Sequence, residues 1–92
     1  MEEIACKVRI SGRVTGVGFR YSALNQACKY QGLKGYVKNV QYGEVEVLLQ
    51  GEREMVDKML SWLSRGPFTA RVDNVEISKV PCDDSLRDFT IE

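Results

Sequence analysis

The stretch from Ile4 to Cys28, IACKVRI-SGRVTGVG-FRYSALNQAC, changes its period partway along, and that change decides the fold. Ile4, Cys6, Val8 and Ile10 alternate with Ala5, Lys7 and Arg9, the two-residue period of a strand with one buried face. Beyond Phe19, the residues Ala23, Leu24, Ala27 and Cys28 recur at helical spacing until Gly32 stops the pattern. Between the two lies Ser11 to Gly18 with Gly12, Gly16 and Gly18. A glycine-rich loop therefore leads from a strand into the N-terminus of a helix.

Outward from this unit, Gly35 to Val40 is short and β-prone, Tyr42-Gly43 reads as a turn, and Val45, Val47 and Leu49 alternate with Glu44 and Glu46. This pattern predicts a hairpin with its tip at Gln41 to Gly43. From Glu52 to Ser64, Val56, Met59, Leu60 and Leu63 form one helical stripe, acids come early and Arg65 late, and Gly66-Pro67 ends the helix. Val72, Val75, Ile77 and Val80 predict a fourth strand, and Phe89 with Ile91 a short fifth after the polar Asp83-Asp84-Ser85 loop. The order βαββαβ is that of an α+β, ferredoxin-like sandwich, an antiparallel sheet with two helices on one face. That fold hosts many unrelated functions, so activity has to be read from a site.

A chain of 92 residues with 43% hydrophobic residues supports one core, which predicts a single domain over residues 1–92. The start Met1-Glu2-Glu3, and the lack of any apolar run near the roughly 18 residues of a membrane span, predict a soluble, cytoplasmic protein. Cys6, Cys28 and Cys82 make an odd set without a C-x-x-C pair, so neither a disulfide framework nor a metal knuckle is expected. They read as free thiols, Cys6 and Cys28 in the core and Cys82 in a loop beside Pro81, with one internal disulfide left open. Net charge is zero, yet Ile4 to Gly43 holds no acid while Lys7, Arg9, Arg13, Arg20, Lys29, Lys34 and Lys38 are basic. Such a half attracts anions.

The loop gives that attraction a location. Closely spaced glycines let successive N–H groups turn toward one point, and a helix starting there adds the positive end of its dipole. Arg20 comes immediately after, and its planar guanidinium closes such a cradle with two parallel hydrogen bonds that lysine cannot reproduce. Phe19, Tyr36 and Val17 read as packing that anchors loop and strand to the core, and Gly35 as a close backbone approach. Tyr21, Tyr30 and Tyr42 read as partly exposed, and Trp62 as packing.

Gly12-Arg13-Val14-Thr15-Gly16-Val17-Gly18-Phe19-Arg20, followed by Gly35-Tyr36-Val37-Lys38-Asn39 and Gly43-Glu44-Val45-Glu46-Val47, resembles the acylphosphatase family in order, spacing and identity across nearly the whole chain. The resemblance implies the fold read above and hydrolysis of the carboxyl-phosphate bond of acyl phosphates. It places a phosphate loop on Thr15, Gly16, Val17, Gly18, Phe19 and Arg20, the essential arginine on Arg20 and a water-positioning asparagine on Asn39. Acetyl phosphate, carbamoyl phosphate and acylated glycolytic phosphates are the substrates it suggests. Two positions depart from the family pattern: Thr15 stands where glutamine is frequent, which bears on loop rigidity, and Lys38 where arginine is frequent, which alters the charge beside the site.

An acyl phosphate carries a good leaving group, so the enzyme need mainly position water in line and stabilise charge on the equatorial oxygens. The chain has no histidine and no acid near the loop in sequence, so a course with no metal and no cofactor is expected. The resemblance implies that the proton passes to the substrate's own phosphate oxygen. Expected partners are a small acyl phosphate only, without nucleic acid or membrane, acting on a monomer. An RNA-binding module of the same strand and helix order would need aromatics on its central strands, where Glu44 to Leu49 offers acids and aliphatics. A non-catalytic anion-binding domain would have no use for Asn39. A third alternative, a piece of a larger maturation enzyme, is disfavoured by ends that look complete from Met1 to Ile91.

Overall fold

The computed structural model describes residues 2–92; Met1, the first residue of the expected domain and of its expected N-terminus, lies outside the described residues. The elements are β1 (Glu3–Arg13), α1 (Phe19–Ala27), β2 (Lys34–Gln41), β3 (Glu44–Glu52), α2 (Arg53–Leu63), β4 (Arg71–Lys79) and β5 (Phe89–Ile91). The sheet order is β4-β1-β3-β2-β5. The first four strands pair antiparallel, as the ferredoxin-like reading requires. The short fifth strand runs parallel to β2, with Gly35 opposite Phe89 and Val37 opposite Ile91, so the complete sheet is mixed.

Alternation decides what each strand buries. Val8 and Ile10 of β1, Val37 of β2, and Val45, Val47 and Leu49 of β3 are fully enclosed on one face. Onto that face α1 lays Phe19, Ala23 and Ala27, four residues apart, and α2 lays Val56, Met59 and Leu63. Each enclosed side chain of valine size or larger stabilises the fold by about 1.5–3 kcal/mol relative to exposure. Phe19 also meets Trp62 with ring centroids 5.9 Å apart, which joins the start of α1 to the end of α2.

Three side chains lie elsewhere than their sequence patterns predict. Cys28, expected in the core, is exposed, because α1 buries every fourth residue and ends at Ala27, leaving Cys28 turned outward as its C-cap. With Val37 in the core, the two-residue period sends both Tyr36 and Lys38 to the helix-free face. There Tyr36 donates its hydroxyl to Glu46 at 2.5 Å, and Lys38 lies 3.9 Å from Glu46 and 5.2 Å above the Tyr36 ring. Tyr36 thus packs in a polar cluster rather than anchoring the core, and the charge of Lys38 is spent there rather than beside the loop. Arg9 completes the cluster at 3.3 Å from Glu46. The Tyr36 hydroxyl, then the cations, hold the Glu46 carboxyl below its ordinary range, while burial and then Glu46 push Tyr36 up to about 12.

The odd spacing of Val72 and Val75 also has a cause. The β1–β4 register slips between Ser11 and Gly12, so Val75 faces Ile10 and Val72 faces Gly12, and both reach the core.

Gly35 confirms the expected close approach. Its φ is +140°, and a Cβ there would run into the main-chain carbonyl of Leu48 on β3. Gly35→Ala must therefore both strain its own backbone and push two paired strands apart. A loss of at least about 2 kcal/mol is expected, read as a lower urea midpoint at unchanged slope; an unaltered midpoint would contradict this packing.

Candidate active site

The loop leaves β1 at Arg13 and is held on two sides. On one, the Gly12 N–H donates to the Gly43 carbonyl at 3.0 Å, and the Gly43 N–H donates to Thr15 Oγ1 at 2.8 Å. On the other, Thr69 Oγ1 donates to the Val17 carbonyl at 2.7 Å. Val14 and Phe19 sink into the core at either end of the loop. Gly16 and Gly18 adopt left-handed φ values of +75° and +78°, with open space where a Cβ would point, so they serve the backbone path and leave the hollow clear.

Gly18 is the N-cap of α1; no side chain caps the helix and no acid lies in its first turn. Among the described residues, no N–H from Val14 to Gly18 is donated to a protein acceptor, and those of the first helical turn have no intrahelical partner by construction. The result is a concave set of free donors at the positive end of a helix, which favours an anion.

A hollow of about 180 Å³ opens at this point, lined by Val14, Gly16, Gly18, Phe19, Arg20, Tyr21 and Asn39. That is room for several water-sized groups. The fold thus brings Arg20, Asn39 and most of the predicted loop together, although Asn39 belongs to a different strand. Thr15 and Val17 do not line the hollow: the Thr15 side chain faces Gly43, and the Val17 carbonyl is taken by Thr69. No carboxylate lines it. A larger hollow of about 380 Å³ lies between β1, β4 and α2, walled by Ile4, Val56, Leu60 and Ile77. It has no glycine loop; Glu2, Glu3 and Asp57 line it, and the Arg53 N–H at the start of α2 is taken by the Glu2 carbonyl, so it does not suit an anion.

Two placements matter for chemistry. Arg20 Nη1 donates to the main-chain oxygen of Glu92 at 2.6 Å, and the Glu92 N–H donates to the Val37 carbonyl at 2.8 Å. The extension of β5 alongside β2 therefore steers the guanidinium toward the strand that carries Asn39. Asn39 lies at the end of β2, where the register with β3 slips between Asn39 and Gln41. Its amide has no hydrogen-bond partner among the described residues, so both its donor and its acceptor are free for a water and a phosphoryl oxygen.

Gly43, Thr69 and Glu92 are the supports that sequence reasoning missed. Gly43 reads from the sequence as a turn residue and as part of the family pattern, without a sign of its tie to Thr15, while Thr69 and Glu92 carry no local signal, because each acts on a partner more than 50 residues away in sequence.

The pattern that defines the acylphosphatase family matches residues 6–91. The chain is similar to an acylphosphatase from Psychromonas ingrahamii, 47% identical over 81 residues, covering 88% of this chain and 89% of that relative. Its structure is similar to that of an acylphosphatase from Coxiella burnetii, with TM-score 0.90 and 38% identity over 98% of this chain and 93% of the other. It also resembles part of full-length HypF in its phosphate- and nucleotide-bound form, with TM-score 0.87 and 29% identity over 99% of this chain but 12% of HypF.

Proposed function

Since this chain belongs to the acylphosphatase family and hydrolyses acyl phosphates, we propose that the reaction takes place in the hollow between the glycine loop and Asn39. The N–H groups of Thr15, Gly16, Val17, Gly18, Phe19 and Arg20, with the Arg20 guanidinium, bind the phosphoryl oxygens. The Asn39 amide holds a water in line with the bond to be broken. The water oxygen forms a bond to phosphorus, the bond from phosphorus to the acyl oxygen breaks, and the carboxylate leaves with the bonding electrons. The water keeps one proton as the new hydroxyl and passes the other to a phosphate oxygen. Charge on the equatorial oxygens meets fixed donors throughout, so little reorganisation is needed.

One observation supports this above the others: Arg20, Asn39 and the loop residues Gly16, Gly18 and Phe19 all line the same hollow. Its lining contains no histidine, carboxylate or thiol, so positioning and charge stabilisation are what these groups supply. In excess chelator, the purified protein is expected to hydrolyse benzoyl phosphate and to leave a phosphate monoester intact. Loss of activity in chelator, or equal turnover of the monoester, would overturn the metal-independent acyl-phosphate reading.

The same reading extends to the setting. We take residues 1–92 as one domain working as a monomer, because all the site groups come from one chain. Exposed free thiols at Cys28 and Cys82 suit the reducing cytoplasm. Neither nucleic acid nor membrane is needed: the helix-free face carries Glu44 and Glu46 on its central strand, and no described helix is long and apolar enough to cross a bilayer.

A further inference from the structure

We propose that the Thr15 side chain is a positioning group for this reaction, a latch that sets the distance between the phosphate loop and the water held by Asn39; the role rests on the hollow being the reaction site. The geometry is specific. Thr15 Oγ1 accepts the Gly43 N–H at 2.8 Å, across 28 residues of sequence, while the Gly43 carbonyl accepts the Gly12 N–H at 3.0 Å. Both main-chain groups of one turn residue are thus committed to the approach to the loop.

That turn joins β2 to β3 and so belongs to the hairpin that carries Asn39, which pairs with Val45 just before the register slips between Asn39 and Gln41. Gln41 Nε2 donates to Glu44 Oε1 at 3.1 Å and holds the turn from its far side. A water on Asn39 therefore inherits its position from the hairpin, whereas a phosphoryl group inherits its position from the loop. Among the described residues, the Thr15 bond is the one hydrogen bond that joins loop residues 14–18 directly to this hairpin.

The consequence is a division of labour. The cradle itself is built by the glycine φ values, the start of α1 and Arg20, none of which needs the Thr15 hydroxyl. Without the latch, phosphate still binds, but the nucleophile and phosphorus lose their fixed relation, which a rate depends on more steeply than binding does.

Thr15→Val keeps the branched shape and removes the acceptor; Thr15→Ser keeps the acceptor. With benzoyl phosphate as substrate and inorganic phosphate as competitive inhibitor, Thr15→Val is expected to lower kcat about tenfold, below the roughly 10²-fold cost of a full 1 Å misplacement. Its phosphate inhibition constant should stay within about twofold, as expected for a cradle left intact, and Thr15→Ser should restore kcat. Should the valine protein not fold, Thr15→Ala replaces it with the same expected outcomes. Unchanged kcat in the variant lacking the acceptor would overturn the latch, as would a parallel loss of kcat and phosphate affinity that serine does not rescue. An inactive wild-type protein would instead refute the reading of the hollow.

Discussion

Arg20→Ala is expected to lower kcat/KM for benzoyl phosphate by at least about 10²- to 10³-fold, the range found when one preorganised donor is removed from a developing anion. The upper end corresponds to about 4 kcal/mol of transition-state stabilisation. Several features place this variant at that end. The guanidinium is the one cationic side chain lining the hollow, and the lining holds no second group able to neutralise a phosphoryl charge. It is also held in place, since Nη1 is already engaged with the Glu92 main-chain oxygen. Arg20→Lys should recover little, because a point charge on a flexible stem cannot reproduce the planar fork. Inhibition by inorganic phosphate should weaken in both variants. The fold should persist, since Arg20 lies outside the core and its one tether is to a strand end. A folded Arg20→Ala protein that keeps a tenth or more of wild-type activity would refute the assignment.

Asn39→Ala is expected to lower kcat by about 10²-fold, the cost of removing a group that orients one reactant. The signature should differ from that of Arg20. In the proposed role Asn39 touches the nucleophile rather than the bulk of the phosphoryl charge, so inhibition by inorganic phosphate should change by no more than about twofold while turnover collapses. The local structure supports a clean experiment: Asn39 is exposed, its amide serves no described hydrogen bond, and its removal opens no cavity. Asn39→Gln should fail as well, because one added methylene carries the amide past its position. Full activity in Asn39→Ala would show that the water is held by something else; weakened phosphate binding equal to the loss in kcat would make Asn39 a binding group.

The contrast between these residues shows how much the sequence reveals. Arg20 is legible locally: it comes directly after a glycine loop at the start of a helix, and the physics of helix termini and guanidinium geometry is enough to single it out. Asn39 has no such mark. As an isolated asparagine at the end of a strand, it became a candidate only through the family resemblance of Gly35 to Asn39. The geometry then gives it the free amide that the role requires. Thr15 reverses the case, for the sequence places it in the loop as a backbone donor, whereas its side chain is engaged with a turn 28 residues away.

By itself, the sequence determined the features set by short-range periodicity and stereochemistry. Alternation placed β1 to β3, glycines placed the loop and the tight approach at Gly35, and the three- and four-residue spacing placed both helices, because these depend on neighbours a few positions apart. Where local pattern has no preference, tertiary structure decided. A helix cut off at Ala27 turned Cys28 to solvent. The burial of Val37 sent Tyr36 and Lys38 to the opposite face, where Glu46 collects them. The parallel docking of β5 on β2 brought the Glu92 oxygen to Arg20, and the hairpin turn brought Gly43 to Thr15. Each of these contacts joins groups far apart along the chain, and a hydrogen bond between them leaves no periodic trace in the sequence; only the packing of the sheet brings the partners within reach.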